Sequence, residues 1–198
     1  MGFVIENGVG DSSKLLVDSN NRAHVLSIQI PGSQDALLEG NGYNINTGLI
    51  SISGNGTLIY FKSDEAEAIL IETLVLADLG GITHSADPYI SLVSNPTGGD
   101  LISDASAVAY NANRDFSSSK TLLTTTLAYK GKSSGTLTGG TTVGILAHNP
   151  GGRDSYPINF LLRKGSSLGV TLTANASSGS ANYYAALIVH LINPETEK

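Results

Sequence analysis

The chain has 198 residues, no cysteine and a formal net charge of −6 at neutral pH. The absence of cysteine excludes disulfides, thiolate metal sites and thiol nucleophiles, and the acidic balance argues against a general nucleic-acid binder, which usually carries a basic face. Glycine (23), serine (24), threonine (16) and asparagine (15) are abundant and only 14% of residues are charged, a composition that suits strands and tight turns.

The first dozen residues differ from the rest of the chain. Phe3, Val4 and Ile5 form an apolar patch ahead of the first predicted strand. This patch is either an arm that docks on a neighbouring or capsid subunit, or simply a first strand. We expect residues 1–12 to be an N-terminal arm and residues 13–198 to be one β-sandwich domain, since a sandwich of about 200 residues often forms a single unit.

Short strands separated by turn signals come after the arm. Residues 14–17 lead into the turn 18–21, and residues 24–30 alternate and end at Pro31. Residues 49–53 and 57–62 flank Gly54-Asn55-Gly56. The Asn-Gly pair predicts a hairpin here, because it tolerates positive φ at low cost.

The middle of the chain gives a mixed signal. Residues 68–77 are apolar on both faces apart from Glu72 and Thr73, which predicts a central strand. Residues 80–88 form a predicted loop, and residues 89–94 a short strand stopped by Asn95-Pro96. Residues 104–114 are the least clear, and one or two helical turns are compatible with them.

The last third of the chain has the clearest periodicity. Residues 156–162 and 168–174 alternate with a period of two, with a turn at Lys164-Gly165 between them. Residues 177–180 form a predicted connection, and residues 183–192 read as a central strand that is too short to span a bilayer. The sequence therefore predicts an all-β, single-domain, jelly-roll-like sandwich of about 8–10 antiparallel strands.

Sequence patterns that could carry catalysis lack their required context. Residues 165–169 match G-x-S-x-G, but that motif needs a strand-elbow-helix setting with an acid and then a histidine downstream. Here the serine runs into a strand and no Asp follows Gly169. We therefore expect a turn between two strands, and no enzyme activity.

Metal and cofactor motifs are also missing. His24, His84, His148 and His190 show neither H-x-H nor H-E-x-x-H spacing, although three of them could still converge in space. His24 and His190 are expected to be core or interface residues with one satisfied nitrogen. The acids Asp64, Glu65 and Glu67 form either a calcium-binding turn or a solvated one; we expect the solvated turn, no metal site and no cofactor.

Charge is distributed unevenly along the chain. Residues 1–104 carry 13 acids and 3 bases, whereas residues 105–198 carry 4 acids and 8 bases. Either the two halves interleave in one sandwich and their fields average out, or unlike faces meet between subunits.

Several segments give the chain a family resemblance that spans nearly its whole length. They are Ile5-Glu6-Asn7-Gly8, Asn21-Arg22, the run 43–48, the pair 58–63 and 69–72, the runs 113–116, 119–122 and 129–131, and the run 157–167 leading to 183–186. On these segments the chain resembles small jelly-roll virion proteins of tailed bacteriophages, especially marine and cyanobacterial ones. These are turn and strand patterns, so no catalytic residue carries over.

The resemblance implies a capsid decoration or cement protein, often a homotrimer, made in the host cytoplasm and bound to the outer surface of the virion capsid. The implied partners are other copies of the chain and the major capsid protein, with no nucleic acid and no membrane. Phe3, Val4 and Ile5 are the candidate contact residues for a capsid or subunit neighbour. The alternatives are a tail receptor-binding or fibre-tip domain, a free lectin-like module and, last, an enzyme.

Overall fold

The structure is a computed structural model that describes residues 40–100, 108–115 and 127–192. Within these ranges β-strands dominate, and no helix there is long and apolar enough to cross a membrane. The strands found there, in chain order, are β1 Gly42–Ile52, β2 Gly56–Lys62, β3 Ala68–Asp78, β4 Ile82–His84, β5 Tyr89–Ser94, β6 Tyr110–Asn113, β7 Leu127–Ser133, β8 Thr141–Ala147, β9 Arg153–Leu162, β10 Ser167–Thr173, β11 Ala176–Gly179 and β12 Ala181–Ile192.

Ten of these strands form two antiparallel five-stranded sheets. The first sheet has the order β6-β1-β12-β3-β9 and the second the order β7-β2-β10-β5-β8, while β4 and β11 pair as a separate ribbon. With β6 and β7 set aside, the remaining eight strands have the order of a jelly roll, in which successive strands cross between two packed sheets. β6 and β7 both belong to the connection between β5 and β8, and each adds one strand to one sheet.

Apolar side chains from both sheets fill the space between them. In β12, which lies between β1 and β3, the alternate residues Tyr183, Ala185, Leu187 and Val189 are all fully buried. The predicted central strands are therefore confirmed at β3 and β12, and the predicted alternation is confirmed at β9 and β10. The all-β sandwich prediction is confirmed as well.

The connection between β1 and β2 is not the predicted hairpin. β1 pairs with β12 and β6, whereas β2 pairs with β10 and β7, so the chain crosses from one sheet to the other. Neither Asn55 nor Gly56 has a positive φ, which a primed hairpin turn requires. Instead, Asn55 Oδ1 accepts a hydrogen bond from the Ala174 N–H at 3.0 Å, and the Asn55 carbonyl accepts one from the Ser134 N–H at 3.0 Å.

Other departures occur where short strands replace predicted loops. The predicted connections 80–88 and 177–180 contribute β4 and β11, which pair with each other. β7 and β8 had no predicted counterpart. Of the unclear segment 104–114, residues 110–113 form β6 against β1 and residues 104–107 lie outside the described ranges. The predicted arm 1–12 and the predicted strands 14–17 and 24–30 lie outside them too.

Candidate interaction surface

The strand β8 is an exposed sheet edge that carries apolar side chains. It pairs with β5 on one side, and no strand in the described part of the chain pairs with its other side. Leu146 packs against the core, whereas Val143 and Ile145 remain 46% and 66% exposed. β8 contains no charged residue and no proline. Natural proteins usually protect such an edge with charges, prolines or bulges; of these, β8 has an irregularity at Val143 in its pairing with β5.

The neighbouring edge strand β9 contains a proline and a charged residue, which β8 lacks. Pro157 cannot donate a backbone hydrogen bond, and Asn159 has a φ of 49° and sits beside an irregularity in the pairing with β3. These features twist and interrupt an edge. Arg153 begins the strand and is exposed. Both edge strands on this side of the sandwich therefore have an irregular pairing, and β9 has a proline and an arginine in addition.

A cleft of about 200 Å³ lies where β8 and β9 face each other. Val143 on one strand and Leu161 on the other both line it, and Leu161 is 49% exposed. We refer to Val143, Ile145 and Leu161 as the apolar edge. Contiguous exposed apolar side chains of this kind mark contact sites for other macromolecules.

Basic residues flank the apolar edge. Arg163 and Lys164 line an adjoining cleft of about 250 Å³ together with Leu161, Ala66 and Ala68. Glu67 is an exposed acid beside this cleft, and Arg153, at the other end of β9, lies at the end of the sandwich that also carries the exposed acid Asp87. The apolar residue Leu161 therefore adjoins two exposed cations, Arg163 and Lys164.

The apolar edge is too small to hold a partner by itself. Burying a Val, Ile or Leu side chain fully contributes about 1.5–3 kcal/mol, so covering the exposed half of each of the three contributes about 3 kcal/mol in total. Association costs about 4–15 kcal/mol in lost translational and rotational freedom. Backbone pairing along β8, or several copies acting together, must supply the difference.

A hydrogen-bonded cluster fixes the connection between β8 and β9. Asp154 Oδ2 accepts hydrogen bonds from His148 Nδ1 at 2.8 Å and from the Asn149 N–H at 3.0 Å. It shares the single proton of the Tyr156 hydroxyl, at 3.0 Å, with the Ala147 carbonyl, at 2.6 Å. Asp154 Oδ1 accepts a hydrogen bond from Asn149 Nδ2 at 3.0 Å. Burial alone raises the pKa of Asp154, but the bonds from Asn149, His148 and Tyr156 hold it at about 2. An ionised carboxylate can only accept hydrogen bonds, so His148 carries a proton on Nδ1, the ring nitrogen that faces Asp154.

A second buried carboxylate ties the same connection to the end of β3. Asp78 Oδ1 accepts a hydrogen bond from the Gly80 N–H at 2.7 Å, and Asp78 Oδ2 accepts one from the Gly151 N–H at 3.1 Å. The Nε2 atoms of His84 and His148 lie 4.0 and 3.9 Å from Asp78 Oδ2, beyond hydrogen-bond range. Burial and this carboxylate raise the pKa of Tyr183. The two carboxylates together fix the β8–β9 connection against the end of β3.

The other histidines and acids that the sequence singled out are His190, Glu65, Glu67 and His24. His190 is buried, and its Nε2 donates to Glu72 Oε2 at 2.8 Å, which confirms a core position with one satisfied nitrogen. In the acidic turn Glu67 is exposed, but Glu65 is fully buried, so the expectation of a solvated turn is wrong for Glu65. Among the described residues, no group of three or more His, Cys, Asp or Glu is arranged to hold a metal ion. His24 lies outside these residues.

The G-x-S-x-G segment forms a turn between two strands, as its sequence context predicted. Gly165 has a φ of 81° in the turn, and Ser167, the central serine of the pattern, is buried as the first residue of β10. The Ser167 N–H donates to Asn95 Oδ1 at 2.9 Å. The segment therefore forms the turn that connects β9 to β10.

The contact residues taken from the sequence, Phe3, Val4 and Ile5, lie outside the described residues. The sequence analysis did not predict the exposed apolar residues Val143, Ile145 and Leu161. A weak signal for them exists: Thr141–Ala147 is a seven-residue run of β-compatible residues without any charge.

No family model matches the chain, and no curated protein sequence matches it. Among solved structures, the VP2 subviral particle of infectious bursal disease virus is 12% identical over 79% of this chain and 43% of that chain, with a TM-score of 0.19. The infectious bursal disease virus Gx strain structure is 12% identical over 78% of this chain and 41% of that chain, with a TM-score of 0.18. The chain thus spans less than half the length of these structures, and scores this low carry no argument about its function.

Proposed function

We propose that this protein is a non-enzymatic capsid decoration protein. It binds the outer surface of an assembled tailed-phage head as a homotrimer and stabilises the shell. The observation that carries the proposal is the group of exposed apolar side chains on the edge strands β8 and β9 of a jelly-roll sandwich. The choice of a tailed-phage head as the shell comes from the sequence resemblance to phage virion proteins.

The fold supports a rigid structural role. Jelly rolls occur in viral capsid and lectin domains, and fold alone does not decide between such functions. Here the connections at one end of the sandwich are joined by side-chain and backbone hydrogen bonds, among them Asn55 to Ala174, Asn175 to the Asp87 carbonyl, and His148 to the Pro88 carbonyl. A body with such cross-linked loops loses little conformational freedom on binding, which lowers the cost of association.

The weak contact area fits a protein that acts in multiple copies. One apolar edge contributes about 3 kcal/mol, but linked contacts raise the overall affinity by about 10²–10⁴ without new chemistry. A trimer bound where capsomers meet stabilises the shell by mass action, because it binds the assembled state in preference to free subunits.

Light scattering followed by co-sedimentation with emptied, expanded capsids tests the proposal. We expect a trimer that pellets with capsids at one trimer per local three-fold position. A truncation that removes residues 2–12 is expected to bind more weakly, because the apolar patch Phe3, Val4 and Ile5 is lost. A trimer that ignores capsids but binds host cells would indicate a tail receptor-binding domain instead, and a monomer that binds neither would refute both functions.

A further inference from the structure

We propose that the end of the sandwich binds one water molecule between His148 Nε2, Asp78 Oδ2 and the Tyr183 hydroxyl. The three side chains come from the β8–β9 connection, the end of β3 and the central strand β12. The site lies within one sandwich, so it is independent of the proposed function. Buried waters of this kind make about three hydrogen bonds to polar groups that have no other partner, and they are part of the folded structure.

The three polar side chains are buried. The side chains of His148 and Asp78 are 0% and 1% exposed, and Tyr183 is 0% exposed. Within the described part of the chain, neither His148 Nε2 nor the Tyr183 hydroxyl has a hydrogen-bond partner in the protein. Buried polar groups of folded proteins have a partner in nearly every case, either protein or ordered water. These two atoms therefore indicate a bound molecule at this point.

The distance between His148 and Asp78 favours a bridge over a direct bond. His148 Nε2 lies 3.9 Å from Asp78 Oδ2, which is too long for a hydrogen bond. Two polar groups at such a separation are often joined by a water between them. A water about 2.8 Å from both atoms would span an angle of about 90° at its oxygen, so one molecule can bond to both.

The Tyr183 hydroxyl supplies the third contact. Burial and the nearby Asp78 carboxylate raise the pKa of Tyr183, so the phenol keeps its proton at neutral pH and can donate it. The Tyr183 ring also lies next to the His148 ring, with the two ring centroids 6.2 Å apart. The hydroxyl is therefore close to both groups that the water joins.

Every contact of the water can be given a proton. His148 donates its Nδ1 proton to Asp154, so in the neutral ring Nε2 is an acceptor. The water then donates to His148 Nε2 and to Asp78 Oδ2, and it accepts the proton of the Tyr183 hydroxyl. If His148 carries a second proton, the water accepts from Nε2 and still donates to Asp78, since 3.9 Å is too long for a direct bond in either state.

A metal ion does not fit the same place. Zinc takes nitrogen and oxygen ligands at about 2.0–2.2 Å, usually four of them, and within the described ranges no group of three or more His, Cys, Asp or Glu is arranged to hold an ion. His84 Nε2 lies 4.0 Å from Asp78 Oδ2, but the His84 side chain is 13% exposed and has access to solvent. Water, which both donates and accepts, is the occupant that the three atoms call for.

A high-resolution crystal structure of the native protein tests the site directly. We expect a peak of electron density about 2.7–3.2 Å from each of the three atoms, without the anomalous signal of a metal. Nuclear magnetic resonance gives an independent readout in solution, because magnetisation passes from a bound water to nearby ring protons. It should reach the His148 and Tyr183 rings but not the methyl groups of Leu187, which is fully buried in the core.

Two tyrosine variants test the third contact. Tyr183→Phe removes the hydroxyl and should lower the occupancy of the water or abolish it. The control Tyr184→Phe changes the adjacent residue of β12, whose side chain points to the opposite face of the sheet, and should leave the water in place. Full occupancy in Tyr183→Phe, or equal loss in both variants, would overturn the site as proposed. A direct contact between His148 and Asp78 with no density between them, a metal ion there, or no transfer of magnetisation to either ring would overturn it too.

Discussion

Replacing Asp154 by Asn should destabilise the fold in a way that depends on pH. The native carboxylate accepts four hydrogen bonds and its side chain is only 15% exposed. An amide keeps one acceptor oxygen and turns an NH₂ group toward one of the donors, so at least one bond is lost and a donor is left facing a donor. We expect the free energy of unfolding to fall by about 2–3 kcal/mol at neutral pH.

The sign of the pH dependence comes from the pKa of Asp154, which is about 2 in the folded protein and about 3.9 in an unfolded chain. A group whose folded pKa is depressed stabilises the fold above the unfolded pKa and loses that contribution as the pH falls toward the folded pKa. The contribution is at most about 2.6 kcal/mol and about 1.5–2.5 kcal/mol after allowing for solvent screening. It is therefore lost between about pH 4 and about pH 2.

Urea denaturation followed by circular dichroism, at several pH values between about 7 and about 2, measures this contribution. The native protein and Asp154→Asn should differ most near pH 7 and converge as the pH approaches 2. Asp87→Asn is the matched control: it removes the same charge from an exposed position at the same end of the sandwich, and should change stability by less than about 0.5 kcal/mol. A difference that is the same at pH 7 and at the acidic limit would refute the reasoning, because it would not depend on the ionised carboxylate.

Two further predictions concern the sheets. Gly131→Ala should destabilise the fold by about 3 kcal/mol or more, because a Cβ there would overlap the Thr57 carbonyl in the β2–β7 ladder. The melting temperature should therefore fall by about 6–12 °C. The control Gly54→Ala has open space around its Cβ and should leave the melting temperature nearly unchanged. Leu187→Ala, at a fully buried position, should cost about 2–5 kcal/mol in denaturant titrations, and Leu79→Ala, at a 61% exposed one, less than about 0.5 kcal/mol. Equal effects within either pair would contradict the packing described.

The strands that sequence analysis located correctly are those whose burial leaves a pattern. β10 and β12 are inside the sandwich, so their apolar residues alternate or run continuously, and this is visible in the chain. β8 has no such pattern, because Val143 and Ile145 are exposed while Gly144 faces inward. An edge strand with exposed apolar residues does not follow the usual rule of apolar inside and polar outside.

The β1–β2 connection shows tertiary structure overriding local preference. The Asn-Gly pair favours a hairpin, but β1 and β2 bury their apolar faces in different sheets, and the Asn55 side chain is used to bind the Ala174 N–H instead. The hydrogen bonds around Asp78 and Asp154 could not be predicted from the sequence either. Asp78 and Gly151 are 73 positions apart, and the antiparallel pairing of β3 with β9 brings them together.

The most direct test of the proposed function is a cryo-electron microscopy reconstruction of expanded capsids saturated with the purified protein. We expect added density on the outer surface, at positions where capsomers meet, with three copies of the sandwich around each local three-fold axis. A shell without added density, or density confined to the tail, would contradict the assignment of this protein as a capsid decoration protein.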